Sequence, residues 1–136
     1  MAWAGLSGAI ASPATAGDLQ VVVSNIRNAR GLIQVGVCPQ DRFLTETCPY
    51  NASAPAHPGE TVVVVPNVPP GIWATQVYHD ENMNEQVDRD LLGIPLEGIG
   101  FSNNAHFRFG PPSFADARFE LGPQGGRITL RLRYLN

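Results

Sequence analysis

The sequence predicts an all-β fold: an antiparallel sandwich of two sheets, with about seven strands around one hydrophobic core. Apolar and polar residues alternate with a period of two in several segments, which is typical of half-buried strands. Fourteen glycines and twelve prolines among 136 residues suit strands joined by tight turns better than a helical bundle. Hydrophobic residues make up 43% and charged residues 15%, which argues against a disordered chain. We expect a single domain, residues 17–136.

The first predicted strand covers residues 19–24, in which every second residue is a leucine or valine. A turn at residues 28–31 leads to a second alternating segment at residues 33–37, and we expect these two strands to pair as a hairpin. The four prolines of residues 39–60 argue against a central strand. A long loop is therefore predicted there.

Four more strands are predicted further along the chain. The longest carries Trp73, the best candidate for a core anchor, on the same face as His79. A glycine-rich turn at residues 122–126 predicts a hairpin between the last two. Residues 81–112 show no sustained period, so we expect a long irregular segment with one helical turn at residues 87–92. The four strands cover residues 61–65, 72–80, 115–121 and 127–134.

Composition excludes several classes of function. The nine basic residues are all arginines, and twelve acidic residues give a net charge of −3. Such a balance offers no dense cationic surface, so we expect no binding to nucleic acid. No run of eighteen apolar residues is present, and we expect the chain not to span a membrane.

The N-terminal segment and the two cysteines point to export. Residues 1–16 carry no charged residue and end in Ala14-Thr15-Ala16, the small-x-small pattern of a signal-peptide cleavage site. The alternative is a flexible N-terminus that is retained. In an oxidising compartment, Cys38 and Cys48 are expected to form one disulfide.

A calcium-binding loop is predicted after the strand at residues 72–80. Asp80, Asn82, Asn84 and Asp88 stand at relative positions 1, 3, 5 and 9, and Gln86 can contribute its backbone carbonyl from position 7. A chain that curls around calcium presents oxygens in this order.

The loop departs from the calcium-binding pattern at two positions. Position 6 holds Glu85 in place of glycine, and position 12 holds Leu91 in place of a bidentate glutamate. The alternative is a polar loop in which Asp and Asn side chains accept hydrogen bonds from their own backbone amides. Calcium is the only cofactor that we consider.

His79 has two interpretations. Its place on the Trp73 face predicts a buried imidazole with both ring nitrogens hydrogen-bonded. The functional alternative is a small hydrolase or isomerase that uses His79 with Asp80 or Glu97. Because neighbours on a strand face opposite sides, regular geometry does not let Asp80 orient His79.

The glycine-rich residues 93–104 form a second candidate site. Glu97, Phe101, Asn103 and Asn104 are candidate binding residues for a peptide or a glycan, provided that Phe101 and the later Phe107 and Phe109 are exposed. The alternative is a turn-rich cover over one edge of the sandwich.

Three strings in this half of the chain resemble one family. HDENMNEQVD, LLGIPLEGIGFSNN and FGPPSFADARFEL, in this order, are similar to exported bacterial proteins called domain of unknown function 2141, over about residues 18–134. The resemblance implies an immunoglobulin-like or transthyretin-like sandwich in the periplasm or at the surface of a Gram-negative bacterium. It implies no specific activity.

The function expected from the sequence is that of an exported accessory or binding module. The turn Pro69-Pro70-Gly71 ahead of Trp73 also resembles carboxypeptidase regulatory-like domains, which are accessory modules. The expected partner is an envelope protein, a peptide or a glycan, with calcium bound at residues 80–88. The hydrolase or isomerase centred on His79 is the alternative, and a purely structural envelope protein is the third hypothesis.

Overall fold

The computed structural model describes residues 17–84, 97–106 and 110–135. Eight strands, one short 3-10 helix and one α-helical turn are found in these ranges. The predicted signal peptide and the helical turn expected at residues 87–92 lie outside the described residues. The strands are β1 Gly17–Ile26, β2 Leu32–Cys38, β3 Tyr50–Pro55, β4 Gly59–Val68, β5 Gly71–Asp80, β6 Ile99–Phe101, β7 Phe119–Leu121 and β8 Gly126–Arg131; the 3-10 helix is Ser102–Asn104 and α1 is Phe114–Ala117.

The strands form two sheets, which confirms the predicted all-β sandwich. Sheet A has the order β4-β1-β8, and sheet B has the order β3-β2-β5-β6, with β7 also paired to β5. Leu19, Val21 and Val23 of sheet A are fully buried, as are Ile33 and Val37 of sheet B. The alternation in the sequence therefore identified the two inner faces correctly.

The pairing of the strands differs from the prediction in sheet A. Strand β1 does not form a hairpin with β2; it pairs antiparallel with β4 and parallel with β8. Strand β2 pairs with β3 and β5 in the other sheet. Alternation reports which face of a strand is buried, and two strands that face each other across a core satisfy it as well as two strands that are hydrogen-bonded.

Two segments contain elements that the sequence did not predict. The expected loop at residues 39–60 includes β3, whose side chains are all at least partly exposed; prolines are tolerated there because β3 lies at an edge of sheet B. The expected strand at residues 115–121 begins as α1, which Ser113 caps by accepting a hydrogen bond from the Asp116 amide. The predicted hairpin after it is reduced to one bridge between Gly122 and Gly125, because β7 and β8 belong to different sheets.

A second, smaller hydrophobic cluster lies beside the main core. Phe43 contacts Phe101 and Phe114 edge to face, with ring centroids 5.9 and 6.0 Å apart. The Cys38–Cys48 disulfide, which the sequence predicted, is part of this cluster and ties the last residue of β2 to the loop that precedes β3. Trp73 is half-buried against the main core, and its indole donates a 2.8 Å hydrogen bond to the Pro69 carbonyl.

The two sheets are joined at one corner, which we call the seam. After β8 the chain leaves sheet A, and Arg133 forms two backbone hydrogen bonds with Ile99 of β6, at 3.0 and 2.8 Å. Gly100 allows this close approach, because a Cβ at that position would lie 2.9 Å from the Arg131 carbonyl oxygen. Gly98 leaves room for the Tyr134 ring, because a Cβ at position 98 would lie 2.5 Å from a carbon of that ring. None of the described helices is long and apolar enough to cross a membrane.

Candidate functional site

The predicted calcium loop begins directly after β5. The Asp80 and Asn82 Oδ1 atoms both accept hydrogen bonds from the Asn84 amide, at 3.1 and 3.3 Å. The second carboxylate oxygen of Asp80 accepts from the Gln34 side chain at 3.3 Å. These contacts match the alternative interpretation, in which the loop oxygens bind the backbone.

Two of the five predicted calcium ligands, Gln86 and Asp88, lie outside the described residues. Within the described ranges, no group of three or more His, Cys, Asp or Glu side chains is placed to hold a metal ion. Calcium binding by residues 80–88 therefore stays a prediction.

His79 is fully buried, and both of its ring nitrogens are engaged. Nε2 lies 2.6 Å from the Arg30 carbonyl oxygen, and Nδ1 lies 2.8 Å from the Tyr134 hydroxyl. A carbonyl only accepts, so in the neutral imidazole Nε2 carries the hydrogen and Nδ1 accepts from Tyr134. Both ring nitrogens are thus occupied by hydrogen bonds, as the structural interpretation of His79 expected, and His79 links β5 to the segment after β1.

Tyr134 connects His79 to an ion pair formed by Arg27 and Glu81. Its hydroxyl accepts from the Arg27 amide at 3.1 Å, and the Arg27 guanidinium lies 4.4 Å from the centre of its ring. The same guanidinium binds Glu81 through two hydrogen bonds of 2.9 and 2.7 Å. Arg27, helped by Asn28, lowers the pKa of Glu81 to about 2, and burial raises the pKa of Tyr134.

Glu97 is placed inside the protein and not on its surface. It is 3% exposed, and its Oε2 accepts a 2.9 Å hydrogen bond from the Glu81 amide. The neighbouring Gly98 carbonyl accepts from the His79 amide at 2.8 Å. Glu97 therefore holds the loop after β5 against the residues directly before β6.

The other predicted binding residues have structural contacts as well. Phe101 is 7% exposed, so it does not offer the exposed aromatic surface that the binding hypothesis required; Phe107 and Phe109 lie outside the described residues. Asn103 and Asn104 have positive φ angles of 60° and 49°, which Asn tolerates better than most residues. The side-chain NH₂ group of Asn103 donates to the Asp116 and Arg118 backbone carbonyls at 3.2 and 2.8 Å.

Asn104 leads to a surface that the sequence did not reveal. Its Oδ1 accepts from the Arg131 amide at 2.9 Å, which ties the 3-10 helix to the last strand. Between these elements, at the seam, lies a groove of about 590 Å³. We call it the seam groove. Polar and apolar side chains line it together, among them Asn25, Phe101, Asn104, His106, Arg131, Leu132, Arg133 and Tyr134.

A signal for this groove was present in the sequence. Arg131 and Arg133 alternate with the buried Leu130 and Leu132, which places both arginines on the outer face of the chain. Alternation could not predict that Asn104 lies beside these arginines, because its contact with Arg131 joins positions 27 residues apart.

A comparison with protein families assigns the chain to one of them. The family model described as "Uncharacterized protein conserved in bacteria (DUF2141)" matches residues 21–129. The chain belongs to this family. The DUF2141 match begins within β1 and ends within β8, and it includes the disulfide and Asn104 and His106 of the seam groove. A search of curated proteins and a search of solved structures each found no match.

Proposed function

We propose that this DUF2141 chain is an exported binding module, a disulfide-bonded β-sandwich that holds a ligand of the bacterial envelope in the seam groove. The observation that carries the proposal is the groove itself. Polar side chains that can donate hydrogen bonds and apolar or aromatic side chains, among them Phe101, Leu132 and Tyr134, line it together, which is the usual composition of a ligand site.

The structure gives the groove a rigid frame. The residues that line it are fixed by hydrogen bonds: two backbone bonds join Ile99 and Arg133, and the Arg131 amide donates to Asn104 Oδ1. Residues that bind a ligand keep their geometry best when their own positions are locked in this way. Binding, and not catalysis by His79, is also supported by the two hydrogen bonds that occupy the imidazole.

Two observations support export. The Cys38–Cys48 disulfide is of a kind that persists in oxidising compartments and is rare in the cytosol of bacteria. Residues 1–16 end in the small-x-small pattern of a cleavage site. We propose the periplasm or the cell surface as the location, and an envelope peptide or glycan as the class of partner.

The export part is tested by the mass of the chain that a Gram-negative host produces. We expect the periplasmic fraction to contain a protein that begins at Gly17, with its two cysteines oxidised. The control is Ala16→Asp, which blocks cleavage and should leave the full-length mass. A wild-type chain that stays in the cytosol with residues 1–16 attached would contradict export.

The binding part is tested by amide NMR spectra of the mature protein during titration with a panel of small polar compounds, neutral and charged. We expect shifts that cluster at Asn104, Arg131 and Arg133, with the outward residues Val62 and Val64 of sheet A as the reference surface. Shifts that never concentrate at the groove would contradict the proposal.

A further inference from the structure

We infer that the outer face of sheet A is an interface between two copies of this chain. This interface goes beyond the proposed function and does not rest on it, because it needs no ligand in the seam groove. It is carried by the register of three strands, which sets an acidic residue at one edge of an apolar face and two arginines at the other edge.

The outer face of sheet A consists of three rows of side chains that run across the strands. Strands β4 and β8 flank β1, and three outward residues of β1 each stand beside one residue of either neighbour. The residues between them, such as Val21 and Val63, point into the core. The first row is Glu60, Ser24 and Arg131, the middle row is Val62, Val22 and Thr129, and the third row is Val64, Gln20 and Arg127.

The middle of this face is apolar and open to solvent. Val62 is 44% exposed and Val64 is 45% exposed, and Val22 lies directly beside Val62. The middle row holds only β-branched residues, whose short side chains let a second sheet approach to the usual distance of about 10 Å. Adjoining apolar side chains with a polar rim are typical of a protein–protein interface.

The charged side chains at the rim are not paired within one copy. Glu60 lies at the β4 edge, and Arg127 and Arg131 lie at the β8 edge. In the part of the chain that the structure describes, none of these three side chains forms a hydrogen bond or an ion pair. A further charge, Asp18, lies at the end of the face, where twisted sheets diverge, and its carboxylate accepts from the Asn67 amide at 3.3 Å.

Charge complementarity selects one way to stack two such faces. Rotation by a half turn about an axis parallel to the strands lays β4 of one copy over β8 of the other and keeps each row over itself. Glu60 of each copy then faces Arg131 of the other copy, and the two Val22 side chains meet at the axis. Rotation about an axis across the strands would instead lay Arg127 over Arg131 of the other copy, which like charges disfavour.

The size of the face sets the strength that we expect. Three rows of three residues are fewer than the roughly 20–30 residues that each partner contributes to a standard interface. The two ion pairs lie at the rim, where salt screens them. The dimer should therefore be weak, form at high protein concentration and dissociate as salt is added.

Sedimentation equilibrium of the mature protein, without ligand and from about 10 μM to 1 mM, measures the association. Glu60→Arg should weaken it about tenfold or more, because symmetry replaces two ion pairs by two contacts between like charges. Adding Arg131→Glu to Glu60→Arg restores opposite charges, and this double variant should associate within about threefold of wild type.

The matched control combines Glu60→Arg with Arg127→Glu. It carries the same charges on the same two strands, but Arg127 faces Val64 in the inferred stacking, so this double variant should not regain association. Glu60, Arg127 and Arg131 are all exposed, and substitutions at such positions should leave the fold intact. Thermal melts of each variant check this.

Methyl NMR of a mixture of isotope-labelled and unlabelled protein identifies the surface that associates. We expect contacts between Val62 of one copy and Thr129 of the other, which cannot arise within one copy because β1 separates the two residues by two strand spacings of about 4.8 Å each. Contacts between Val62 and β4 of the other copy would show pairing of edge strands and would overturn the inferred stacking.

A wild-type protein that remains monomeric at the highest concentration overturns the interface, and so does equal recovery of association in the two double variants. Neither result bears on the seam groove, because binding there is measured by titration with small compounds. The interface and the proposed function therefore fail separately.

Discussion

Replacing Tyr134 with phenylalanine tests the hydrogen-bonded network at the seam. The substitution removes one hydroxyl group, keeps the ring that packs on Gly98, and leaves the volume nearly unchanged. Two hydrogen bonds are lost, the 2.8 Å bond to His79 Nδ1 and the 3.1 Å bond from the Arg27 amide.

The two lost hydrogen bonds differ in their free-energy cost, because one lies at the surface and the other is buried. The Arg27 amide lies in an exposed contact and can bond to water, so its loss costs little. His79 is fully buried, and its Nδ1 acceptor has no second hydrogen-bond partner among the described residues; an orphaned buried polar atom costs about 1–3 kcal/mol. We therefore expect Tyr134→Phe to lower the free energy of unfolding by about 2 kcal/mol.

Urea denaturation of the oxidised protein measures this difference. The matched control is Tyr50→Phe, since Tyr50 packs against Trp73 with ring centroids 5.3 Å apart and its hydroxyl forms no hydrogen bond with the described residues. The control should change stability by less than about 0.5 kcal/mol. Equal, small losses for both variants would refute the network, as would nitrogen NMR of His79 that shows the hydrogen on Nδ1.

Three further predictions concern other parts of the molecule. Gly100→Ala should lower the free energy of unfolding, measured in urea, by about 2 kcal/mol, because its Cβ would lie 2.9 Å from the Arg131 carbonyl oxygen. Gly122→Ala is the control and should leave stability unchanged, because a Cβ there meets nothing within 4 Å. Equal effects of the two variants would contradict the seam packing. The pKa of Glu81 is lowered in the folded protein to about 2, from its usual value of 4.5. Because the Arg27 side chain is 33% exposed, solvent weakens the ion pair, which should stabilise the protein by about 1 kcal/mol above pH 4.5. This contribution should be lost as the pH falls towards 2. Thermal melts of wild type and Glu81→Gln should therefore converge in acid, and a constant gap down to pH 2 would count against the pairing. The calcium hypothesis predicts that millimolar calcium raises the melting temperature of chelator-treated protein and that Asp80→Asn removes the rise; calorimetry without heat and melts without a shift would dispose of it.

The local properties of the chain were readable from the sequence. The buried faces of β1, β2 and β5 follow from alternation, and the disulfide follows from two cysteines in a chain expected to be exported. Alternation depends only on neighbours along the chain, which is why it predicted faces and a two-sheet sandwich but assigned β2 to the wrong partner. The parallel pairing of β1 with β8 depends on contacts between the two ends of the domain, and no local pattern encodes it.

The candidate site was predicted only in part, for the same reason. The glycine-rich residues 93–104 were identified as unusual, and the structure supplies the cause for two of them: Gly98 and Gly100 let Tyr134 and the last strand approach closely. Phe101 was proposed as a surface aromatic because burial in a second cluster cannot be read from spacing. Alternation places Arg131 and Arg133 on the outer face of a strand, but their place in a groove depends on the position of Asn104.

The parallel pair at the centre of sheet A also constrains how the chain can mature. Ser24 and Leu130 touch although 106 positions separate them, so β1 stays without its second neighbour until the C-terminal residues have been synthesised and freed from the ribosome. Contacts of such long range form late and slowly. The core beneath sheet A can therefore close only after nearly all of residues 17–131 have been synthesised.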